Sequence, residues 1–488
     1  MTIKPIILVN HYTCHPERSE GSLTEIMKQK NTLGYVIFMA VVAAIGGILF
    51  GYDTAVISGT TAIVKAQFGL TDAGEGWYVG CALIGSICGV LVAGSLSDYL
   101  GRKLTMLISA ALFSISAIGC AVCGSFDGLV AYRIIGGVGI GIVSIVSPIY
   151  ISEVSPANIR GTLVSLYQLA VTVGFLLAYL ANWVIDAGGD LAVAGNLWTN
   201  MWNAEMWRGM LGSETLPALL FFLIIFFIPE SPKWLIVNGK LDKASVVLSK
   251  IYASESEVKD EIATTQSSLK GETKGAWADL LKPGILVAVI AGSAIAILGQ
   301  FMGVNAVLYY GPKIFSDAGF DNPMFSTVLV GVVNMVTTIL AVFIIDRVGR
   351  KQLIYWGVSG MIFCLLAIGI YFAWGAQIGL GNGFMLTFFL AYVFCCAISI
   401  SAIVFVLLSE MYPNSVRGRA MSIAGFALWI GTYLIGQLTP VLLGWSQAGT
   451  FFIFAACCAP YMLIMWKVIP ETTGKTLEDI EYYWNNRK

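Results

Sequence analysis

Long apolar runs separated by short polar turns dominate the sequence. Twelve of these runs are about 20 residues long, the length that an α-helix needs to cross roughly 30 Å of hydrocarbon. They lie near 35–58, 77–97, 104–124, 128–150, 161–185, 207–229, 284–310, 324–346, 352–374, 384–409, 419–440 and 447–469. The pattern therefore predicts twelve transmembrane helices, six before and six after a longer polar segment.

The polar turns contain motifs that occur once in each half. Glu153-x-x-Pro156-x-x-x-Arg160-Gly161 returns as Glu410-x-x-Pro413-x-x-x-Arg417-Gly418, Asp98-x-x-Gly101-Arg102-Lys103 returns as Asp346-x-x-Gly349-Arg350-Lys351, and Pro229-Glu230-Ser231-Pro232-Lys233 returns in altered form from Pro470. All three pairs repeat at an offset of roughly 250 residues, which indicates two copies of one unit. Membrane proteins that open one site to each side in turn are built in this way.

The repeat predicts the domain organisation of an all-α integral membrane protein. A polar tail covers 1–34, a first six-helix bundle 35–229, a linker 230–283, a second six-helix bundle 284–470 and a final tail 471–488. Within the linker, charged residues alternate with Leu, Val and Ile, which is typical of short amphipathic helices on a membrane surface.

Composition agrees with a membrane protein, and charge gives it an orientation. Hydrophobic residues make up 57% of the chain, charged residues 12%, and the mean hydropathy is +0.80. Of the 28 Lys and Arg residues, only Lys65, Arg133, Arg208 and Lys313 fall outside the tails, the linker and one set of loops. The positive-inside rule then places both termini and the linker in the cytoplasm, with the protein in a plasma membrane, by expectation a bacterial inner membrane. The net charge of −1 gives no reason to expect a nucleic-acid partner.

Motifs for catalysis are absent from the sequence. It contains no phosphate-binding P-loop, no GxSxG elbow and no HExxH pair. Cys120-x-x-Cys123 is interpreted as structural, because both histidines lie in the N-terminal tail and no second cysteine pair accompanies it. We expect no enzyme activity, no cofactor and no bound metal, and a monomer in the lipid bilayer. Energy for any transport would have to come from a gradient.

The repeated motifs combine acids and bases at the cytoplasmic helix ends. Such groups tie neighbouring helices together in one state and release them in another. The predicted conformational lock consists of Asp98, Arg102, Glu153, Arg160 and Glu230 in the first half and Asp346, Arg350, Glu410 and Arg417 in the second. Glu153 with Arg160, and Glu410 with Arg417, are expected to supply a second set of partners. The alternative is that the basic residues only set the orientation, which does not account for the acids at identical spacing.

Taken together, the motifs resemble those of the sugar porters of the major facilitator superfamily, the group that includes bacterial proton–xylose symporters and animal facilitative glucose transporters. The matching residues are Phe50-Gly51-Tyr52-Asp53-Thr54, Tyr132-Arg133-Ile134-Ile135-Gly136-Gly137, Pro229-Glu230-Ser231-Pro232, Gln300-Phe301-Met302-Gly303-Val304-Asn305, Tyr309-Tyr310 and Pro470-Glu471-Thr472-Thr473-Gly474. The resemblance covers residues 35–480. It implies two six-helix bundles with a central monosaccharide site that faces each side in turn.

Asp53 is, by the sequence, the only carboxylate inside a predicted span away from the helix ends. A buried ionisable group in a membrane is costly and is a candidate functional group. Arg133 lies at a similar depth in the fourth span, so the two are expected to pair. One interpretation is a permanent salt bridge; the other is a proton site whose occupancy depends on the pairing with Arg133. In the family, an Asp at this motif position goes with proton coupling, which favours the second interpretation.

Polar and aromatic residues inside the spans are candidates for the sugar site. Amides both donate to and accept from hydroxyl groups, although they also join helices in membranes. With the resemblance, the predicted site comprises Gln168, Gln300, Asn305 and Asn334, together with Phe50, Tyr309, Phe405 and Trp429, whose rings supply apolar faces for a sugar ring to stack on. Gln300 and Asn305 are expected to lie within roughly 140° of each other around one helix.

The sequence departs from the xylose-symporter pattern at four places. Gly299 replaces the first residue of a Gln–Gln pair, Phe175 replaces a Gln, Leu428 replaces the Gln before Trp429, and Ser401-Ala402-Ile403-Val404-Phe405 replaces Gly-Pro-x-x-Trp. A pocket that lacks a partner for a hydroxyl group rejects that hydroxyl. The sugar is therefore left as a pentose or a hexose, and the loss of the proline leaves open how the tenth helix bends.

The preferred function is secondary active import of a monosaccharide by proton-coupled alternating access. Two alternatives remain at this stage. The first is a facilitative uniporter for the same sugars, and the second is a sugar sensor that does not transport, although the short tail after Pro470 offers little for signalling.

Overall fold

The structure, a computed structural model, describes residues 20–252, 254–271, 277–413, 416–472, 475 and 477–485, without the side chains of 20–31, 268–271, 277, 346, 477–478, 481 and 485. Residues 1–19 of the predicted N-terminal tail lie outside this part of the chain. The described residues form helices and no β-strand. Twelve helical segments among them are long and apolar enough to cross a membrane, which confirms the twelve predicted spans.

The first half supplies six of these spans. Its helices are α1 (Glu20–Phe68), α2 (Asp72–Leu100), α3 (Arg102–Val122), α4 (Phe126–Val154), α5 (Arg160–Gly188), α6 (Leu197–Trp202), α7 (Met206–Gly212) and α8 (Thr215–Ile224), and a 3₁₀ turn follows at Ile225–Phe227. Side-chain oxygens of Thr71 and Ser125 accept from the backbone N–H groups of Gly74 and Gly128, which caps α2 and α4. The sixth span consists of α7 and α8.

Three short helices follow in the linker, and the second half then supplies the other six spans. The linker contains α9 (Pro232–Val237), α10 (Leu241–Leu248), α11 (Glu255–Gly271) and a 3₁₀ turn at Trp277–Leu281. The second half contains α12 (Pro283–Phe301), α13 (Val304–Asp317), α14 (Pro323–Val348), α15 (Arg350–Ile378), α16 (Asn382–Cys396), α17 (Ala402–Met411), α18 (Arg417–Trp445), α19 (Gln447–Lys467) and α20 (Leu477–Asn485).

Glycines let the helices of the first half approach one another closely. A Cβ atom at Gly137 of α4 would lie 1.9 Å from the Ala82 carbonyl oxygen of α2, and one at Gly51 of α1 would lie 2.0 Å from the Val171 carbonyl oxygen of α5. Small residues are common at helix interfaces in membranes, because helices there associate through van der Waals contact and not through the removal of apolar surface from water. Asp53 and Arg133 lie within this packed interior.

Three spans are interrupted near their middle. The sixth breaks at Ser213 and Glu214, between α7 and α8. The seventh, predicted as one helix over 284–310, is instead broken between α12 and α13, because Gly303 adopts a φ of +92°, which favours glycine. In the tenth, a π-helical turn at Ala397–Ser401 joins α16 to α17. Such turns occur at functional positions in helices, and this one lies immediately before Ala402, where the related pattern has proline.

Candidate functional site

Asp53 on α1 and Arg133 on α4 form an ion pair in the interior of the first half. Nη1 of Arg133 donates a hydrogen bond to Oδ1 of Asp53. The Asp53 side chain is 1% exposed and the Arg133 side chain 3%. Oδ2 of Asp53 and Nε of Arg133 are buried and have no hydrogen-bond partner among the described residues. The pair is thus dry and incompletely satisfied, so its surroundings decide which protonation state is stable.

A second buried carboxylate, that of Glu214, lies beside Asp53. Glu214 is 2% exposed and is close enough to Asp53 for a hydrogen bond between the two carboxyl groups. The prediction that Asp53 is the only carboxylate inside a span is therefore wrong. Glu214 falls within the predicted span 207–229, and a charged residue in an apolar run is the signal that could have found it. Its position depends on the break in the sixth span, which the apolar pattern does not reveal.

The break that carries Glu214 is held against α1 by a hydroxyl contact. The phenol oxygen of Tyr52 lies 2.6 Å from Oγ of Ser213, and Oγ of Ser213 also donates to the Met210 carbonyl oxygen. Backbone bonds from Glu214 N–H to the Leu211 carbonyl oxygen tighten the helix at this point. Glu214 is fixed on the turn next to the residue that precedes Asp53.

Asp53, Arg133 and Glu214 place two carboxyl groups next to one guanidinium in a dry space. If both carboxyl groups were ionised, the cluster would carry an uncompensated negative charge, which is expensive in a medium of low dielectric. A carboxyl–carboxyl hydrogen bond also requires one of the two to be protonated. Binding one proton therefore neutralises the cluster, and releasing it requires a change in the surroundings.

Gln300 is the centre of a polar cluster in the second half. Its Oε1 accepts a hydrogen bond from Nδ2 of Asn305 at 2.6 Å and one from Oγ1 of Thr432 at 3.2 Å. The contact with Asn305 crosses the break at Gly303, so the predicted spacing around a single helix does not explain it. Thr432 on α18 was not among the predicted site residues. With Oε1 engaged twice, the amide nitrogen of Gln300 is the group left to bind a hydroxyl oxygen.

The remaining predicted sugar-site residues come from helices of both halves. Phe50 of α1 and Trp429 of α18 form a ring pair across the halves with centroids 6.0 Å apart. The side chains of Gln168, which is exposed, and Asn334, which is half-buried, make no hydrogen bond with any other described residue. Phe405 on α17 is 52% exposed. Unpaired amides beside facing rings suit a hydroxylated ligand with one apolar face.

Tyr309 on α13 is a buried residue of the predicted sugar site. It is 2% exposed, and its ring lies close to both Asp53 and Arg133. Next to it, the Tyr310 hydroxyl donates to the Gly436 carbonyl oxygen at 2.7 Å. Tyr309 of the second half is thus close enough to Asp53 and Arg133 to interact with them electrostatically.

The repeated motif residues of the first half form one network at the helix ends. Arg102 donates two hydrogen bonds to Glu153, from Nε to Oε2 at 3.0 Å and from Nη2 to Oε1 at 3.2 Å. Its Nη1 donates to Oδ1 of Asp98 at 3.0 Å. Glu230 accepts from the backbone N–H groups of Arg102, Lys103 and Ser231. Burial raises the pKa of Glu230, although these three donors oppose the shift. Gly101 has a φ of +95°, and a Cβ atom there would lie 2.2 Å from Oε2 of Glu230.

The second half repeats this network with its own C-terminal segment. Arg350 donates to Glu410 at 3.1 Å, and the Thr472 hydroxyl donates to the other oxygen of Glu410 at 2.6 Å. Trp484 of α20 is buried and donates to the Met411 carbonyl oxygen at 2.8 Å. The side chain of Asp346 lies outside the described residues.

Arg160 and Arg417 bind backbone carbonyl groups, and among the described residues neither forms an ion pair with the acid of its own motif. Arg160 donates to the Ser155 carbonyl oxygen at 3.3 Å, and Arg417 donates to the Tyr412 carbonyl oxygen at 3.4 Å. Glu153 and Glu410 are bound instead by Arg102 and Arg350. The reason is local: each arginine begins a helix and folds back onto the carbonyl group five residues before it.

Residues 39–484 match the profile of the family described as "Sugar (and other) transporter". The chain belongs to this family. It is 38% identical over 460 residues to an arabinose-proton symporter of Bacillus subtilis (strain 168), covering 93% of this chain and 96% of that protein. It is 36% identical over 493 residues to a D-xylose-proton symporter of Escherichia coli (strain K12), covering 94% of this chain and 97% of that protein.

Solved structures agree with this assignment to the sugar transporter family. The inward open conformation of a xylose transporter from E. coli is 34% identical and aligns with a TM-score of 0.79, covering 92% of this chain and all of that one. A major facilitator superfamily proton:xylose symporter bound to 6-bromo-6-deoxy-D-glucose aligns with a TM-score of 0.73, covering 93% of this chain and all of that one. The resemblance and the fold class predicted from the motifs are confirmed.

Proposed function

We propose that this protein imports a monosaccharide together with a proton by alternating access. The observation that carries the proposal is the buried cluster in which Asp53 binds the single guanidinium of Arg133 and the second carboxyl group, that of Glu214, interacts with both. A sugar transporter that worked without a proton would gain nothing from two buried carboxyl groups that need one proton to be neutral. Relatives named as arabinose–proton and D-xylose–proton symporters support the same conclusion.

Asp53 is the proposed proton carrier, with Arg133 as its exchangeable partner and Glu214 as the second carboxyl group. When Arg133 pairs with Asp53, the ionised form is stabilised; when that contact loosens in a buried site, the protonated form is favoured. Tyr309 interacts electrostatically with this cluster from the other half. A movement between the halves therefore changes the surroundings of the proton, which is the coupling that symport requires.

The sugar is proposed to bind between the halves. Gln300, Asn305 and Thr432 present amide and hydroxyl groups from the second half, and Gln168 and Asn334 complete the polar lining. Phe50, Trp429, Tyr309 and Phe405 are proposed to supply ring faces for the sugar. Pentoses are the first candidates, because two relatives are named for arabinose and xylose. The altered positions Phe175, Gly299 and Leu428 set the difference in sugar preference.

The proposed membrane orientation places the repeated motifs, both termini and the linker 230–283 in the cytoplasm of a bacterial cell, with the protein in its cytoplasmic membrane. The excess of Lys and Arg at that end supports this orientation. The same proposal divides the chain into a bundle over 35–229 and a bundle over 284–470, acting within a monomer. The higher TM-score with an inward-open relative supports an inward-open arrangement.

Uptake into proteoliposomes tests the proposal. The purified full chain is reconstituted and supplied with labelled pentoses and hexoses, with an acidic exterior or with equal pH on both sides. We expect at least one sugar to accumulate above its external concentration only when the exterior is acidic, and a protonophore to abolish the accumulation. Equilibration at the same rate and to the same level in both conditions would identify a uniporter instead, and binding without uptake a sensor.

A further inference from the structure

A second group of charged residues joins the two halves at the end opposite the repeated motifs. Glu75 on α2 accepts from Nζ of Lys65 at 2.8 Å and from Nζ of Lys313 at 3.1 Å. Lys65 belongs to α1 in the first half, and Lys313 belongs to α13 in the second. Lys65 also donates to Asp72. The cluster lies apart from the carboxylate cluster around Asp53 and from the amides around Gln300.

Glu75 is held rigidly on the first half. It lies in the first turn of α2, next to the Thr71 cap, where the helix dipole favours a negative charge. Lys65 lies in the last turn of α1, where the dipole favours a positive charge. The Glu75 side chain is only 1% exposed, so an ionised carboxylate there depends on its partners.

Lys313 brings the partner from the other half. Its side chain is 21% exposed, compared with 1% for Glu75. Two uncharged contacts close the same end: the Tyr179 hydroxyl of α5 donates to the Leu308 carbonyl oxygen at 2.9 Å, and Nε2 of Gln437 on α18 donates to the Ala73 carbonyl oxygen at 3.0 Å. The ion pair is therefore one part of a contact that holds the outer ends of the halves together.

The two lysines lower the free-energy cost of separating the outer ends of the halves. Breaking a buried ion pair normally leaves one charge uncompensated, at a cost of several kcal/mol. Here Glu75 keeps Lys65 when Lys313 leaves, because Lys65 and Glu75 move with the same half. Lys313 is the less buried of the two groups that would separate, and water can solvate it as the gap opens. The contact is thus strong enough to close the gate and can still be broken in each cycle.

We propose that Glu75 and Lys313 form an ionic gate at the outer end of the transport path, with Lys65 as the counter-ion that stays with Glu75 when the gate opens. The gate stabilises the inward-facing arrangement and must break before the site opens to the outside. This role goes beyond the proposed sugar and proton sites, and its test does not require transport to be proton-coupled.

Distances between spin labels on the two halves test this gate. Cysteines are introduced at Asp127, which is exposed at the start of α4, and at Asp321, which is exposed between α13 and α14. The background has its reactive native cysteines replaced by serine, and the full chain is placed in lipid nanodiscs. Double electron–electron resonance then gives the populations of a short, closed distance and a longer, open one.

The decisive variants differ in which lysine they remove. Lys313→Met should raise the open fraction relative to the closed one by about fivefold, since it removes the contact between the halves. Lys65→Met, the matched comparison, keeps the contact between the halves but leaves Glu75 without a counter-ion once they separate, so it should lower the open fraction rather than raise it.

Two results would overturn the gate: an unchanged distance distribution in Lys313→Met, or an equal opening in Lys65→Met. Lys313→Arg, which keeps the charge, should remain closed, and opening in this variant would count equally against the proposal. If Lys313→Met does not give a monodisperse protein, Lys313→Gln and Glu75→Gln take its place and are compared with Lys313→Arg by the same measurement. Both Gln variants should open and Lys313→Arg should stay closed; an unchanged distance distribution in the Gln variants would overturn the gate.

Discussion

Glu214 of the sixth span and Asp53 of the first span bring two buried carboxyl groups close enough to interact, and the guanidinium of Arg133 donates to Oδ1 of Asp53. The meeting depends on two features of the chain. The sixth helix breaks at Ser213, and Tyr52, the neighbour of Asp53, contacts that break. A proton in this cluster is therefore held by three helices rather than by one residue.

Asp53→Asn is expected to abolish accumulation driven by a proton gradient. The substitution removes the titratable group and keeps its size, while Gln300 and Asn305 are untouched, so sugar exchange across the membrane should persist. Because Glu214 remains near Arg133, the loss of stability should be smaller than the roughly 3–5 kcal/mol of a broken buried pair. Uptake, exchange and thermal stability are measured in parallel. Continued uphill accumulation would remove Asp53 from the coupling mechanism, and a joint collapse of stability and binding would indicate a structural salt bridge.

Glu214→Gln is expected to uncouple sugar and proton without unfolding the protein. It leaves one carboxyl group and one guanidinium, a pair that is neutral without a bound proton. The number of protons taken up per sugar, followed with a pH electrode, should fall well below that of the parent protein, because the remaining pair needs no proton to be neutral. Glu255→Gln on the exposed face of α11 is the control and should leave the ratio unchanged. An unaltered ratio in Glu214→Gln would show that Asp53 works without its neighbour.

Thr432→Val is expected to weaken sugar binding alone. Valine keeps the shape of threonine but removes the hydroxyl that lies 3.2 Å from Oε1 of Gln300. Loss of one hydrogen bond of about 1 kcal/mol raises the KM for sugar by roughly fivefold. The maximal rate and the dependence on the proton gradient should stay as they are. A variant with an unchanged KM would mean that Asn305 is sufficient to orient Gln300.

Arg102→Ala and Arg350→Ala are expected to slow transport while sugar binding persists. Each arginine joins two helix ends of its own half, and Arg102 does so through a two-pronged contact with Glu153. We expect turnover to fall by about tenfold, equivalent to about 1.4 kcal/mol in the barrier. Lys243→Ala, on the exposed surface of α10, serves as control. If binding disappears from a folded Arg102→Ala variant, this residue belongs to the sugar site rather than to the helix ends.

Gly101→Ala is expected to destabilise the first half, whereas Gly161→Ala should not. Gly101 has a φ of +95° and adjoins Glu230, while a Cβ atom at Gly161 meets no atom within 4 Å. A side chain in such a backbone conformation costs about 1–3 kcal/mol, before the displacement of Glu230 is counted. Thermal unfolding of the two variants in detergent, compared with the parent protein, gives the answer. Equal melting temperatures would show that the turn relaxes without cost.

The sequence predicts the parts of this protein that depend on chain-wide patterns. Apolar runs locate the twelve spans, and depth in the membrane alone brings Asp53 and Arg133 to the same level. Where a helix breaks, that argument fails. Glu214 and the Gln300–Asn305 contact both depend on breaks, at Ser213 and at Gly303, and neither break interrupts the apolar pattern. The sequence also does not predict the hydrogen bond of Arg160 to the Ser155 carbonyl group. Whether an arginine binds a nearby carbonyl group or a carboxylate depends on backbone geometry, which the sequence pattern does not contain.

Thr472 and Trp484 bind the helix ends of the second half through Glu410 and the Met411 carbonyl group. The two halves differ in where along the chain such contacts come from. In the first half, the matching contacts come from the start of the linker, which is anchored by chain on both sides. In the second half they come from the segment that follows α19, whose helix α20 packs against α12 and α17. A fusion that displaces this segment would act directly on Glu410 and leave Glu153 undisturbed. Fluorescent fusions should therefore be placed elsewhere when the kinetics of this transporter are measured.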